Sequence, residues 1–247
     1  MNILCSVCYD GTNYSGWQKQ PNAITIQETI ETALAKIYSG QISTITAGRT
    51  DTGVHALKNY FNFHINDEQN KIPINKIALV LNNQLPKDIR IISAAEMPES
   101  FNARFNAIKR IYEYRISWAA FNPFERNYKL FIYSKPNIDL MNAAAKLLIG
   151  EYDFNAFRAA DCCAKTTIRT IYDISLYQPK SDELIISIIA NAFLKQMVRI
   201  IVGTLLDIGY LKKKVMDMQN ILLSRQRKFA GQTVKPFGLF FKDAIFA

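Results

Sequence analysis

Apolar and polar positions alternate along this chain in two rhythms, one of period two and one of helical period. Residues 3–9 read as a half-buried strand, followed by a polar, glycine-bearing loop at 10–16. Ile26, Ile30, Ala33, Leu34 and Ile37 then recur at helical spacing and predict a helix running to Tyr38. Thr25 stands where an N-cap belongs, and Glu28 three positions on completes a capping box. Short strands are expected at 42–46, 60–65 and 89–94, with a second helix opened by Pro73 and ending near Asn82 and Asn83.

A second part begins near Phe101. Residues 110–118 read as a strand with Ile111, Glu113 and Arg115 on one side and Tyr112, Tyr114 and Ile116 on the other. A helix is expected at 141–148, stopped by Gly150. Residues 167–177 and 183–190 pair as antiparallel strands about a turn at 179–182, and apolar helices follow at 195–211 and 215–223. Each half, 1–100 and 101–247, therefore supplies strands packed by helices, an α+β pattern. Neither a repeat nor a low-complexity tract is visible.

Charge changes the picture of the second half. The net charge is +9, but residues 1–100 carry a balance of −1 and residues 101–247 a balance of +10. A basic excess confined to one half suits a polyanion such as nucleic acid. The 49% hydrophobic content supports a proper core. No apolar run is long enough to cross a bilayer, and the first residues lack the marks of a leader peptide, so a soluble, cytoplasmic protein without membrane partners is expected.

The cysteines and histidines add little chemistry. Cys5 and Cys8 form a C-x-x-C, but on a strand positions three apart face opposite ways and cannot clasp one metal. Cys162 and Cys163 are adjacent, and His55 and His64 are too few for a histidine-based centre. Free thiols are expected, with no metal and no disulfide framework.

The most informative stretch is Ala47-Gly48-Arg49-Thr50-Asp51-Thr52-Gly53-Val54-His55-Ala56. It sets one carboxylate in a tight polar turn after a strand. Gly48 and Gly53 permit backbone angles that a β-carbon would forbid. Arg49 favours the ionised form of Asp51, and a fixed, ionised carboxylate can act as nucleophile or as base. Taken alone, such a run is also ordinary turn chemistry.

The full string resembles the G-R-T-D-x-G-V-H-A run of the TruA family of tRNA pseudouridine synthases. The likeness is spread along the chain. Tyr9-Asp10-Gly11-Thr12-Asn13-Tyr14-Ser15-Gly16-Trp17-Gln18 resembles the family's opening block, and Ile26-Gln27-Glu28 the start of its first helix. Phe101-Asn102-Ala103-Arg104-Phe105, Lys109-Arg110-Ile111-Tyr112-Glu113-Tyr114-Arg115 and Asp153-Phe154-Asn155-Ala156-Phe157-Arg158 follow in the family's order. Phe193-Leu194-Lys195-Gln196-Met197-Val198-Arg199 resembles a later block. The chain departs at Lys235-Pro236-Phe237-Gly238-Leu239 and in a short aromatic segment near 120–135.

The resemblance implies roles residue by residue. Asp51 is the catalytic carboxylate, Arg199 the arginine that pairs with it, and Tyr112 the ring that stacks on the target base. Arg49 is a candidate for base flipping and phosphate holding. Arg104, Lys109, Arg110, Arg158 and Arg169 are candidates for backbone contacts to RNA. The resemblance further implies isomerisation of uridine to pseudouridine at positions 38, 39 and 40 of tRNA, a homodimer, and no cofactor. It implies two related α+β halves, their mostly antiparallel sheets joined side by side around a central cleft. The first half carries the Asp51 loop; the second, basic half carries Tyr112 and Arg199. Two other readings are a non-catalytic RNA-binding protein on the same fold and a hydrolase or phosphotransferase using Asp51 as nucleophile. Binding alone does not need a paired buried carboxylate. The second would want a metal cluster or a phosphate-cradling glycine loop, which the sequence does not offer.

Overall fold

A computed structural model describes residues 1–66, 69 and 71–247. The chain divides into two compact units, Met1–Arg110 with Phe240–Ala247, and Ile111–Leu239. Each is α+β.

The first unit is built on β1 (Asn2–Tyr9), the strand read at 3–9. After it comes α1 (Ile26–Tyr38), whose N-cap Thr25 accepts the Glu28 N–H at 3.3 Å, as the capping pattern requires. Ile26, Ile30, Ala33 and Leu34 form its buried stripe. Thr25 itself is fully buried. Thr25→Ala therefore strands the Glu28 amide, and a loss of about 1 kcal/mol is expected in urea unfolding. An unchanged midpoint would show that α1 is held by its apolar stripe alone.

Next come β2 (Ile45–Thr46), β3 (His55–His64), α2 (Ile74–Asn82) and β4 (Ile89–Met97). β1 pairs antiparallel with both β3 and β4, in a register that sets Ile3 against Phe63 and Cys5 against Phe61. β3 begins at His55, five residues before the expected strand, so the polar loop runs straight into it. Tyr9, Trp17, Phe61 and Phe63 form a chain of rings with centroids 5.9, 6.0 and 6.2 Å apart, the first two pairs tilted and the last stacked. Such tilted and offset packing suits ring quadrupoles and anchors the 10–17 loop to the sheet. Cys5 is buried and Cys8 half-buried, as alternation along β1 requires.

The second unit takes most of β5 (Ala107–Ser117), then β6 (Leu130–Phe131) and α3 (Ile138–Lys146). α3 starts three residues before the expected helix because Asn137 caps it, accepting the Leu140 N–H at 3.1 Å. Gly150 does not stop this helix directly. It opens β7 (Gly150–Asp153) at φ +129°. β8 (Ile168–Tyr177) and β9 (Glu183–Ala190) form the expected antiparallel pair, with β7 on the far edge of β8. α4 (Met197–Gly209) and α5 (Asp217–Ser224) close the unit. α4 begins later than expected because Gln196 takes a left-handed conformation, φ 62°, and breaks the run. Among the described residues no helix is long and apolar enough to cross a membrane.

The chain then returns to the first unit as β10 (Leu239–Phe246), which pairs parallel with the start of β3, Phe240 against His55 and Phe241 against Ala56. This strand has no counterpart among the elements expected from the residue pattern.

Candidate active site

Asp51 lies in the first unit, half-buried, between two backbone anchors. The Trp17 N–H donates to the Thr50 carbonyl at 3.0 Å, and the Gly53 N–H to the Tyr14 carbonyl at 3.3 Å. A turn closes the loop, with the Val54 N–H on the Asp51 carbonyl at 3.1 Å. Gly16, at φ +86°, lies so close that an added β-carbon would sit 2.5 Å from the Thr50 carbonyl oxygen. The 14–17 and 50–53 segments thus clasp one another at backbone distance, which fixes the peptide that carries the carboxylate.

The two glycines of the loop serve different needs. Gly53 is left-handed at φ +74°, as expected for a tight turn. Gly48 is not in that region. It is glycine because the Phe241 ring of β10 packs where its β-carbon would stand.

Polar side chains hold the loop from beneath. Tyr9 Oη and Thr50 Oγ1 are hydrogen-bonded at 2.9 Å, and Asn59 Nδ2 donates to the Gly48 carbonyl at 2.9 Å. Burial pushes the Tyr9 phenol up to about 12, so it stays protonated, despite the opposing hydrogen bonds from Thr50 and Asn59. His55 is buried and stacks on Phe240 at 4.8 Å. Its Nδ1 lies 3.1 Å from the Gly11 amide and 3.1 Å from Asp10 Oδ1. The amide can donate only to a bare nitrogen, whereas an ion pair with Asp10 needs a protonated one. Asp10 Oδ1 also accepts from Thr12 N–H at 2.9 Å and Thr12 Oγ1 at 2.5 Å.

The cations of this unit separate by burial. Arg49 and Arg104 are exposed, and partial burial followed by the Arg104 charge lowers the Arg49 guanidinium from its usual value. The Arg104 guanidinium lies over the Phe105 ring at 5.6 Å. Arg110 is buried: Nε donates to the Ala47 carbonyl at 2.8 Å, Nη1 to Ala107 at 2.8 Å and Nη2 to Arg104 at 2.6 Å. It ties the 104–107 segment to the first residue of the Asp51 loop. Lys109 is half-buried.

The second unit gathers its candidates around β5. Tyr112 is buried on that strand, edge-on to Phe193 with centroids 4.9 Å apart. Tyr114, two residues on and so on the same face, donates to the Lys235 carbonyl at 2.6 Å. Burial raises its phenol, while the Arg199 charge acts to lower it. Arg199, third residue of α4 and half-buried in a helix otherwise almost wholly buried, donates from Nε to the Val234 carbonyl at 2.8 Å. The 234–235 backbone therefore receives both the Tyr114 hydroxyl and the Arg199 guanidinium. Arg158 is fixed by Asn155 Oδ1 at 2.6 Å and the Cys162 carbonyl at 3.0 Å. Arg169 binds the carbonyls of Thr166 at 3.1 Å and Ile168 at 2.6 Å.

Tyr9, His55 and Asn59 support the Asp51 loop directly, a role that their residue types alone do not announce. The readable signal was polarity in the wrong place: Asn59 and Asn62 interrupt an aromatic strand, and both are fully buried.

Comparison with known proteins shows the family. The profile of a tRNA pseudouridine synthase family matches residues 6–106 and 144–247. The chain is 45% identical over 246 residues to "tRNA pseudouridine synthase A" of Caldicellulosiruptor bescii, covering 99% of both chains. It is 44% identical over 246 residues to the protein of the same name from Thermoanaerobacter sp., again covering 99% of each. Against that of Halalkalibacterium halodurans it is 42% identical over 239 residues, 96% of this chain and 89% of the other.

Proposed function

The chain belongs to the tRNA pseudouridine synthase family, and from that premise we propose that it isomerises uridine to pseudouridine in the anticodon stem-loop of tRNA, at positions 38, 39 and 40. What supports the reading is Asp51, held on a loop whose two ends are pinned by the backbone of 14–17.

The reaction moves a bond without net oxidation or reduction. The ribose C1′–N1 bond breaks, a C1′–C5 bond forms, the C5 proton leaves to solvent and N1 gains one. Asp51 is the carboxylate in this scheme, acting as nucleophile or as base. Arg199 would hold that carboxylate ionised and aimed. Tyr112 would stack on the freed uracil while it turns, and stacking of this kind contributes on the order of 1–3 kcal/mol. Arg49 and Arg104, exposed in the unit that carries Asp51, would meet phosphates during base flipping. Lys109, Arg158 and Arg169 would add backbone contacts. Arg110, committed to three carbonyls, would act by positioning the loop. A homodimeric assembly and a cytoplasmic site of action belong to the same reading, as the family resemblance implies.

The deciding measurement is tritium release from unmodified tRNA labelled at uracil C5. The wild-type protein is expected to release the label to water, because C1′ replaces the C5 hydrogen. Binding of tRNA without release would leave an RNA-binding module.

A further inference from the structure

We propose that the aromatic segment between β5 and the strand-exit residue Tyr133 is a stacking platform for unpaired nucleotides of the RNA substrate. The inference rests on the reading of the protein as a tRNA-acting enzyme. It concerns a surface of the second unit that carries none of the candidates named above. The segment also falls between the two stretches matched by the family profile.

Large rings are normally spent in the core, yet here they face water. Phe124 is 86% exposed, Phe121 65%, and Tyr133 fully exposed. Phe121 keeps one edge contact, to Phe131 at 5.2 Å, which leaves its outer face open. With Tyr128, 36% exposed, these make four exposed rings within thirteen residues, more than the scatter of single apolar residues that a surface tolerates without function.

The loop that carries them is fixed. Its base is β6, paired parallel to β5 with Ile116 against Leu130 and Ser117 against Phe131. Its tip is a pair of turns, Glu125 N–H to Asn122 carbonyl at 3.0 Å and Tyr128 N–H to Glu125 carbonyl at 2.9 Å. Lys129, largely buried, bolts it down by reaching Glu125 at 2.6 Å and Glu183 at 2.7 Å. A platform ordered before binding loses little further freedom when a base stacks on it.

Charge decides the class of partner. Two carboxylates at the base of the segment, Glu125 and Glu183, are neutralised by Lys129, and Glu183 also by Lys180 at 3.2 Å, while Asp182 adjoins Ser117 and Trp118 through its backbone. Arg126 and Lys135 are exposed, and neither is ion-paired among the described residues. Arg126 leans on the Pro123 carbonyl, and Lys135 lies over the Trp118 ring at 5.7 Å. Exposed rings flanked by unneutralised cations match a strand that offers bases and phosphates together. A second copy of this chain meeting the same patch about a two-fold axis would bring like charges together.

The test is filter binding of unmodified tRNA to wild-type protein and two double variants, with sedimentation of each protein alone. In the first variant Phe124→Leu and Tyr133→Leu keep apolar bulk but remove the π-faces; in the second, Phe124→Trp and Tyr133→Trp restore them. Affinity is expected to fall about tenfold or more for the leucine pair and to stay within about twofold of wild type for the tryptophan pair. All three proteins should sediment alike. Leucine-pair binding equal to that of binding-competent wild type overturns the platform alone. A smaller sedimenting species for the leucine pair also overturns it, in favour of self-association. Wild-type protein that fails to retain tRNA overturns both the platform and the enzymatic reading.

Discussion

Asp51→Ala is expected to bring tritium release from C5-labelled tRNA down on the order of 10⁴-fold or more, while tRNA binding stays within a few-fold of wild type. The two halves of this expectation have separate physical grounds. Chemistry fails because the proposed reaction runs through the carboxylate, and no other acidic side chain shares the loop. Binding is expected to survive because backbone hydrogen bonds hold the loop on both sides of the carboxylate. Thr50 and Gly53 are held through backbone atoms by Trp17 and Tyr14, and the Asp51 carbonyl still accepts the Val54 amide in the variant. Asp51→Asn separates charge from shape, since it preserves volume and one acceptor oxygen while replacing the other with an NH2 donor. It should be as inactive as the alanine form. Turnover by either variant would remove Asp51 from the centre of the reaction.

Gly203→Ala is expected to lower the melting temperature by roughly 5–10 °C, and to depress tritium release even at temperatures where the variant is folded. Two effects oppose each other here. In a helix interior alanine is favoured over glycine by about 1 kcal/mol. Against that, a β-carbon at Gly203 would overlap the carbonyl oxygen of Gln232 and lie 3.0 Å from its carbon. The obstruction is backbone, so it cannot turn aside as a side chain would, and overpacking of this kind costs typically 1–3 kcal/mol, occasionally more. The clash wins. Retreat is blocked from the other side too: Gly231 packs against Thr204, its own β-carbon position lying 2.6 Å from the Thr204 nitrogen, and its N–H donates to Thr204 Oγ1 at 2.9 Å. The segment that must move also carries the Val234 carbonyl that receives Arg199, so stability and function should fall together. A melting temperature within a degree or two of wild type would show that 231–234 yields without strain.

What could be read from sequence was what is local. α1 announces itself by an apolar stripe and a capping threonine, and the structure begins and ends it where the pattern does. The β8–β9 pair was legible because two β-branched runs flank a short polar turn. The Asp51 loop stood out as an ordered string of residue types. What was not legible is what depends on distant partners. β6 is two residues long and exists only because β5 lies beside it. β10 has an apolar run, but nothing in Leu239–Phe246 says that it lies parallel to His55 and Ala56. The work of His55 and Asn59 was hidden for the same reason, since their partners, Gly11 and Gly48, are defined by the fold. Gly48 was legible as a glycine but not for its cause, which is a ring from the far end of the chain.

That late strand has a consequence for how the protein is made. The pairing of Phe240 with His55 closes a loop that contains most of the polypeptide. A nascent chain can build the contacts of β1, β3 and β4 as soon as they emerge from the ribosome, yet the aromatic wall behind the Asp51 loop arrives only after the whole of the second unit has been translated. Until then the carboxylate-bearing turn lacks Phe240 and Phe241. An interrupted translation product would carry every residue of the 47–56 motif without the wall that holds it, and would engage RNA, if at all, before it could act on it.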